Sequence, residues 1–453
     1  MNRLIYEECG VFGIWSDGQE AVETTVVGLI ALQHRGQESA GICWCHEGEM
    51  MHKRGMGLVE DVFHGMDYST VNAGAAIGHV RYSTTGKSTL VNAQPLAFSG
   101  RLGPMALAHN GNLVNAPEIR TQLEQQGSIF QTSTDSEVVA HLLARSTTTD
   151  LDGALLSALG QVRGAYAMLI LTPDRLLAMR DPHGIRPLVL GKLNGGWVVA
   201  SETCALDIVG AEFIRDVEPG EMVSLSSTGI ESIPLFPPRK QAFCIFEYIY
   251  FARPDSVFAG RNVHMVRREM GRALAKEAPA DADIVTGIPD SSLSAAGGYA
   301  EAAGLPYETG LIRNRYLGRT FIKPGQKQRA RGVALKLNPI RGVVAGKRVV
   351  LVDDSLIRGT TSLRIVQMLR QAGAKEVHLR IASPPITHGC GLGIDTKDEM
   401  IAGRMTPREI AEYVGADSLE YLSSESMVAA TGFKACELCL GCFKGTHPVR
   451  RED

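Results

Sequence analysis

A chain of 453 residues that is 44% hydrophobic and 21% charged is long enough for two or more globular domains with sizeable cores. Its net charge of −3 argues against general nucleic-acid binding, and it has no run of about 18 apolar residues with which to span a membrane. Residues 1–8 carry two acids and lack the apolar centre of a secretory signal, so a cytoplasmic protein is expected; the odd count of nine cysteines then suits reduced thiols or metal ligands better than disulfides.

In chain order, residues 9 to about 235 alternate short strand-like runs with helical patterns. Strands are expected at Ala75–Tyr82, Pro104–Leu113, Ala165–Thr172, Arg175–Met179 and Trp197–Ser201. Helices are expected at about 21–34, 115–126, 136–146 and 151–163. The mixture predicts an α+β layered domain. The proline cluster from Ile233 to Lys240 reads as a linker. Beyond it the rhythm is βαβ. Helices are expected at Asn262–Glu277, Ser291–Ala303 and about 361–372, and strands at Ile284–Ile288, 348–352 and 377–381, which argues for a parallel sheet with ligands at the carboxyl ends of its strands. From Thr309 to Val352 there are eleven Lys or Arg residues and no acid. Within that stretch, Arg313–Lys336 is rich in glycine and polar residues, as a lid that closes over pyrophosphate would be; a solvated basic loop is the plainer reading.

The chemistry concentrates first in Val349–Val352, Asp353-Asp354-Ser355-Leu356-Ile357-Arg358-Gly359-Thr360-Thr361-Ser362. A β-branched run ends in two carboxylates, then a loop of glycine and hydroxyls opens a helix. Backbone N–H groups and the helix dipole suit a phosphate there, with Thr360, Thr361 and Ser362 adding donors. Asp353 and Asp354 remain free for ribose hydroxyls or Mg²⁺. A second loop, Gly287-Ile288-Pro289-Asp290-Ser291-Ser292, repeats the strand–loop–helix design and can cradle pyrophosphate and its cation. The stretch resembles the signature of type I phosphoribosyltransferases, which use phosphoribosyl pyrophosphate (PRPP). That resemblance implies a PRPP site at Asp353, Asp354, Ser355, Arg358, Gly359, Thr360, Thr361 and Ser362, and one Mg²⁺ per subunit at Ser291, Asp353 and Asp354.

A second set of motifs lies near the start: Cys9-Gly10-Val11-Phe12-Gly13-Ile14, Leu32-Gln33-His34-Arg35-Gly36-Gln37-Glu38-Ser39-Ala40-Gly41, Gly78-His79-Val80-Arg81-Tyr82-Ser83-Thr84, His109-Asn110-Gly111-Asn112-Leu113 and Ser133-Thr134-Asp135-Ser136-Glu137. Together they resemble the glutaminase domain of the N-terminal-nucleophile amidotransferases, an αββα sandwich, over most of residues 9–205. Cys9 would be the nucleophile and its own α-amine, with an ordinary pKa of about 7.7–8.0, the general base. Residues 1–8 would then be a propeptide removed to expose that amine. The resemblance implies that Arg81 holds the glutamine α-carboxylate, Asp135 its α-amino group, and Asn110 with Gly111 the oxyanion. The domains expected are 9–235 and 236–453.

Cys436, Cys439 and Cys442 form C-x₂-C-x₂-C, with Cys244 and Cys390 elsewhere in the second half. The spacing alone fits zinc or an iron–sulfur cluster equally. The whole chain resembles the iron–sulfur branch of the glutamine PRPP amidotransferases. That resemblance implies one [4Fe–4S] cluster per subunit on Cys244, Cys390, Cys439 and Cys442, with Cys436 spare, and a homotetramer inhibited by purine nucleotides. Glutamine, PRPP and water would give 5-phosphoribosylamine, glutamate and pyrophosphate, the first step of purine synthesis. A salvage phosphoribosyltransferase with a regulatory first half, and a PRPP-sensing repressor with both sites idle, are the competing readings.

Overall fold

The computed structural model describes residues 9–82, 88–237, 239–314, 337–393 and 400–449. In the first half two antiparallel sheets face each other. One has seven strands, in the spatial order Glu212–Asp216, Val189–Leu193, Gly196–Ala200, Gly10–Ser16, Ala75–Arg81, Ser39–His46, Glu49–Met56. The other has six, in the order Gly229–Pro234, Glu221–Ser226, Arg175–Arg180, Gly164–Leu171, Gly103–Leu113, Leu96–Gly100. Val11, Ile77, Ala106, Ala167, Leu169 and Val199 fill the space between the sheets; four of their five strands offer alanine or valine there, which lets the layers close. Helices Ala21–Ala31 and Thr203–Val209 cover the outer face of the first sheet, and Ala116–Gln125, Glu137–Arg145 and Leu151–Leu159 that of the second. The αββα sandwich expected from the motifs is therefore present.

Boundaries shift where tertiary packing outweighs pattern. The linker expected from Ile233 onward begins inside the Gly229–Pro234 strand, and Leu235 is buried against the second sheet's helices. That strand is the edge of its sheet, where a proline costs no ladder bond.

In the second half four parallel strands run in the order Ile284–Gly287, Arg348–Asp353, Glu376–Ile381, Ser418–Tyr421. Helix Val263–Glu277 starts where the Asn262 side chain accepts from Met265 N at 3.1 Å, a good N-cap. Helices Leu293–Ala303 and Thr360–Gln371 follow the first two strands. Leu311–Arg313 pairs with Leu337–Pro339 as a short antiparallel ladder. The lid expectation for Arg313–Lys336 falls mostly on 315–336, outside the described residues, as do the propeptide expectation for 1–8 and the residues Ser83 and Thr84.

The two halves share apolar interior. Val114, Ala165 and Ile185 of the sandwich pack in one cluster with Phe243, Phe246, Phe251, Val263, Met270, Val285 and Val350. At the seam Glu247–Phe251 forms a wide turn of π-helical geometry, a form often found at functional sites. Among the described residues no helix is long and apolar enough to cross a membrane.

Candidate functional site

Five chain segments meet at a small recess lined by Cys9, Arg81, Tyr82, Gln94, His109, Gly111, Thr134 and Asp135. Cys9 precedes the Gly10–Ser16 strand, Arg81 ends the Ala75–Arg81 strand, and the register sets Gly10 beside Val80. The Cys9 thiol donates to Tyr82 O at 3.5 Å, and Arg35 Nε donates to Cys9 O at 3.1 Å. Asp135 is buried and accepts from Leu113 N at 2.8 Å, so the carboxylate is braced against the strand that carries Gly111. Gly111 has φ +147°, and an added Cβ would sit 2.0 Å from Ala165 O; only glycine permits this close approach. The structure thus brings Cys9, Arg81, Gly111 and Asp135 together at one recess. Asn110 lies one residue back. Its amide reaches Ser201 Oγ at 3.5 Å, and its buried Oδ1 has no hydrogen-bond partner among the described residues.

Gln94 and His109 line the recess too, and the motifs did not single out a role for them. Gln94 Oε1 accepts from His109 N at 2.7 Å, and His109 Nδ1 pairs with Ser136 Oγ at 2.9 Å. His79 Nε2 donates to His109 O at 3.0 Å. Burial holds both imidazoles below their ordinary pKa, that of His79 to about 3, so they serve as neutral scaffolding.

The second site forms where two neighbouring parallel strands end. Gly287 stands beside Val352 in register, so the loops after them meet. Ser292 Oγ donates to Asp353 Oδ1 at 3.2 Å and lies 3.4 Å from Asp354 Oδ2; Ser291 Oγ donates to that same oxygen. Ser355 Oγ donates to Asp354 Oδ1 at 2.6 Å. These bonds explain why the helix expected from Ser291 starts only at Leu293: both serines turn to the carboxylates. Burial raises the pKa of Asp353 well above the usual carboxylate range, and the charge of Asp354 beside it raises it further. Burial raises Asp354 as well, opposed by the hydroxyls of Ser291 and Ser355 and by the Arg267 charge. Asp353 and Asp354 are thus both buried at one corner. Gly359 takes φ +72° as the N-cap of the helix whose first turn holds Thr360, Thr361 and Ser362, so the unpaired N–H groups of that turn lie at the end of the Ser355–Arg358 loop.

The cysteines sort by burial. Cys436 is exposed, while Cys244, Cys439 and Cys442 are buried and Cys390 is half-buried. Cys244 stands beside Cys439 in a parallel bridge. A hydrogen bond with Cys390 raises the Cys442 pKa most, then burial, then the charges of Cys390, Cys244 and Cys439; burial first, then Cys390, pushes Cys439 up to about 12. These four thiols thus act on one another. Among the described residues no group of three or more His, Cys, Asp or Glu is placed to hold a metal ion. Cys43 and Cys204 are core thiols and Cys45 is half-buried.

One feature of the seam was not foreseen. Arg35, Glu202 and Glu247 are all buried, and Arg35 Nη2 donates to Glu247 Oε1 at 2.8 Å while Nη1 donates to Glu202 Oε1 at 2.5 Å. Burial alone would raise Glu202, yet His34 and Arg35 outweigh it and hold that carboxyl below its ordinary range. Arg35 sits in a motif the sequence displays, but its partners lie 167 and 212 residues away.

An αββα sandwich with an N-proximal cysteine recess, joined to a parallel sheet with paired phosphate loops, defines a glutamine amidotransferase domain fused to a phosphoribosyltransferase domain. Comparison agrees: a glutamine amidotransferase domain model matches residues 79–207, and a phosphoribosyl transferase domain model matches residues 255–382. The chain is 52% identical to the amidophosphoribosyltransferase of Bacillus subtilis over 98% of its own length and 94% of that protein's. It is 48% identical to the amidophosphoribosyltransferase of Archaeoglobus fulgidus, over 97% of this chain and 98% of that one. The solved glutamine PRPP amidotransferase of B. subtilis, complexed with ADP and GMP, superposes with a TM-score of 0.93 at 51% identity and covers 98% of both chains. The chain belongs to the amidophosphoribosyltransferase family.

Proposed function

We propose that the chain makes 5-phosphoribosylamine from PRPP and glutamine as the first step of purine synthesis. One observation carries this: a cysteine recess with a cation and a carboxylate for a zwitterion, and a paired-loop phosphoribosyl site, share one chain and one core. Arg81 takes the glutamine carboxylate and Asp135 its ammonium. The Cys9 amine, free once residues 1–8 are removed, accepts the thiol proton as sulfur attacks the side-chain amide. The Asn110 amide and Gly111 N–H stabilise the tetrahedral oxyanion, and its collapse to a thioester releases ammonia; water then frees glutamate.

At the other site the Ser355–Ser362 loop holds the 5-phosphate at the Thr360 helix start, and Asp353 with Asp354 faces the ribose. Ammonia attacks the anomeric carbon and pyrophosphate leaves. Ser291, Asp353 and Asp354 suit Mg²⁺, which when bound neutralises the charge gathering on pyrophosphate. Cys244, Cys390, Cys439 and Cys442 suit a [4Fe–4S] cluster, which would join the tail to the seam. Purine nucleotides would inhibit at the same ribose-phosphate loop, and the working form would be a homotetramer.

The test measures glutamate and pyrophosphate release with and without PRPP and Mg²⁺. Coupled, near-stoichiometric release is expected. Pyrophosphate release that demands a nucleobase and ignores glutamine would sink the proposal in favour of salvage.

A further inference from the structure

Buried charges connect the main chain of Cys9 to the thiol loop of the other half. Arg35 donates through Nε to Cys9 O at 3.1 Å and forks onto Glu247 with bonds of 3.0 and 2.8 Å. Arg186 Nη1 stands 4.0 Å from Glu247 Oε1, and Arg186 Nη2 donates to Leu392 O. Leu392 N donates to Cys390 Sγ at 3.4 Å. Arg35, Arg186, Glu202 and Glu247 are each 3% exposed or less. Charges of both signs gather here away from water, with the buried Arg180 and Arg267 also near enough to feel Glu247, and an unpaired charge in such a place is costly. The recess is lined by other residues, so Glu247 and Arg186 have no contact to offer glutamine.

We infer that Glu247 and Arg186 are positioning residues for glutamine hydrolysis. Through Arg35 they fix the Cys9 main chain, and so make the nucleophile depend on how the Cys390 loop is seated. The inference rests on Cys9 being the nucleophile. Its amine and thiol hang from the same Cα, so a small rotation of that peptide misplaces base and nucleophile together. The Glu247 carboxylate fixes the direction of the Arg35 fork, and with it the Nε donor. Arg186 spans from that carboxylate to Leu392, which carries the seating of the thiol loop back across the seam.

The test uses the full chain and compares Glu247→Gln, Glu247→Asp and Arg186→Lys. Phosphoribosylamine formation is measured with glutamine and, separately, with ammonium salt as nitrogen source. Glu247→Gln and Arg186→Lys are expected to lower the glutamine-dependent kcat about tenfold or more, with the glutamine KM and the ammonia-dependent rate within about twofold of the parent. Glu247→Asp, which keeps the charge, should recover part of the loss. Equal falls with both nitrogen sources would reduce the pair to general structural support and overturn the inference. An unchanged glutamine kcat, or a rise in KM alone, would overturn it too. A parent that releases no glutamate at all refutes the amidotransferase reading beneath it, a distinguishable outcome. Arg186→Lys keeps the test open should the Glu247 variants fail to fold.

Discussion

The recess around Cys9 is held by strand ends of two facing sheets, whereas the Asp353–Asp354 site is built from two loops and a helix start at the edge of one sheet. In the first, each group is braced: Asp135 by Leu113 N, His109 by Gln94 and Ser136, Cys9 by Arg35. In the second, the strain is electrostatic, with two acids whose pKa values burial raises, the charge of Asp354 adding to the rise at Asp353 and that of Arg267 opposing it at Asp354. The contrast matches two kinds of chemistry. Covalent attack needs sub-ångström placement of a nucleophile; departure of pyrophosphate needs charge neutralised by what the substrate and its cation bring.

The comparison breaks most visibly at Cys9. Cys9→Ser should lower glutamine-dependent synthesis by roughly 10³-fold or more while ammonia-dependent synthesis persists, measured by trapping phosphoribosylamine. Asn110→Ala should raise the hydrolytic barrier by about 2.7–4 kcal/mol, seen as a fall in glutaminase kcat with little change in ammonia use. Asp135→Asn should raise the glutamine KM by about 10- to 100-fold, since a charge-assisted bond contributes about 1.5–3 kcal/mol.

At the other site a substitution should act in the opposite sense on stability. The pKa values of Asp353 and Asp354 in the folded protein lie above 3.8, so the stability they favour is fully present below that pH and is lost as pH rises through the folded values. Without Mg²⁺ the Tm of the parent should therefore fall relative to Asp353→Asn as pH rises through that range, and Mg²⁺ should close the gap. A gap that ignores both pH and Mg²⁺ would remove electrostatic strain from the account. The smallest effect belongs to Cys436→Ser, which should leave iron content and oxygen sensitivity unchanged, whereas Cys442→Ser should lose iron; equal iron loss in both would mean that the exposed thiol is a ligand.

Much of this was legible in the residues. The Asp353–Ser362 and Gly287–Ser292 segments announce strand, loop and helix by composition alone, and the structure pairs them. The Gly10–Ser16 strand and the Ser39–His46 and Glu49–Met56 hairpin were not foreseen. The hairpin turns at Glu47 and Gly48, with φ of 51° and 83°; a glutamate there is a far weaker turn signal than asparagine or aspartate before glycine. The Arg35–Glu202–Glu247–Arg186 network was invisible because a sequence shows charges but not which of them tertiary packing will bury together. Gln94 and His109 escaped for the same reason.

The apolar cluster that passes from Val114, Ala165 and Ile185 into the Phe243–Phe251 seam and on to Val350 bears on how such a chain could be rearranged. Severing it near residue 240 would expose the apolar contact that Val114, Ala165 and Ile185 make with the second half. A transplanted first half would need the recipient to supply that contact, so heating should melt the intact chain in a single cooperative event.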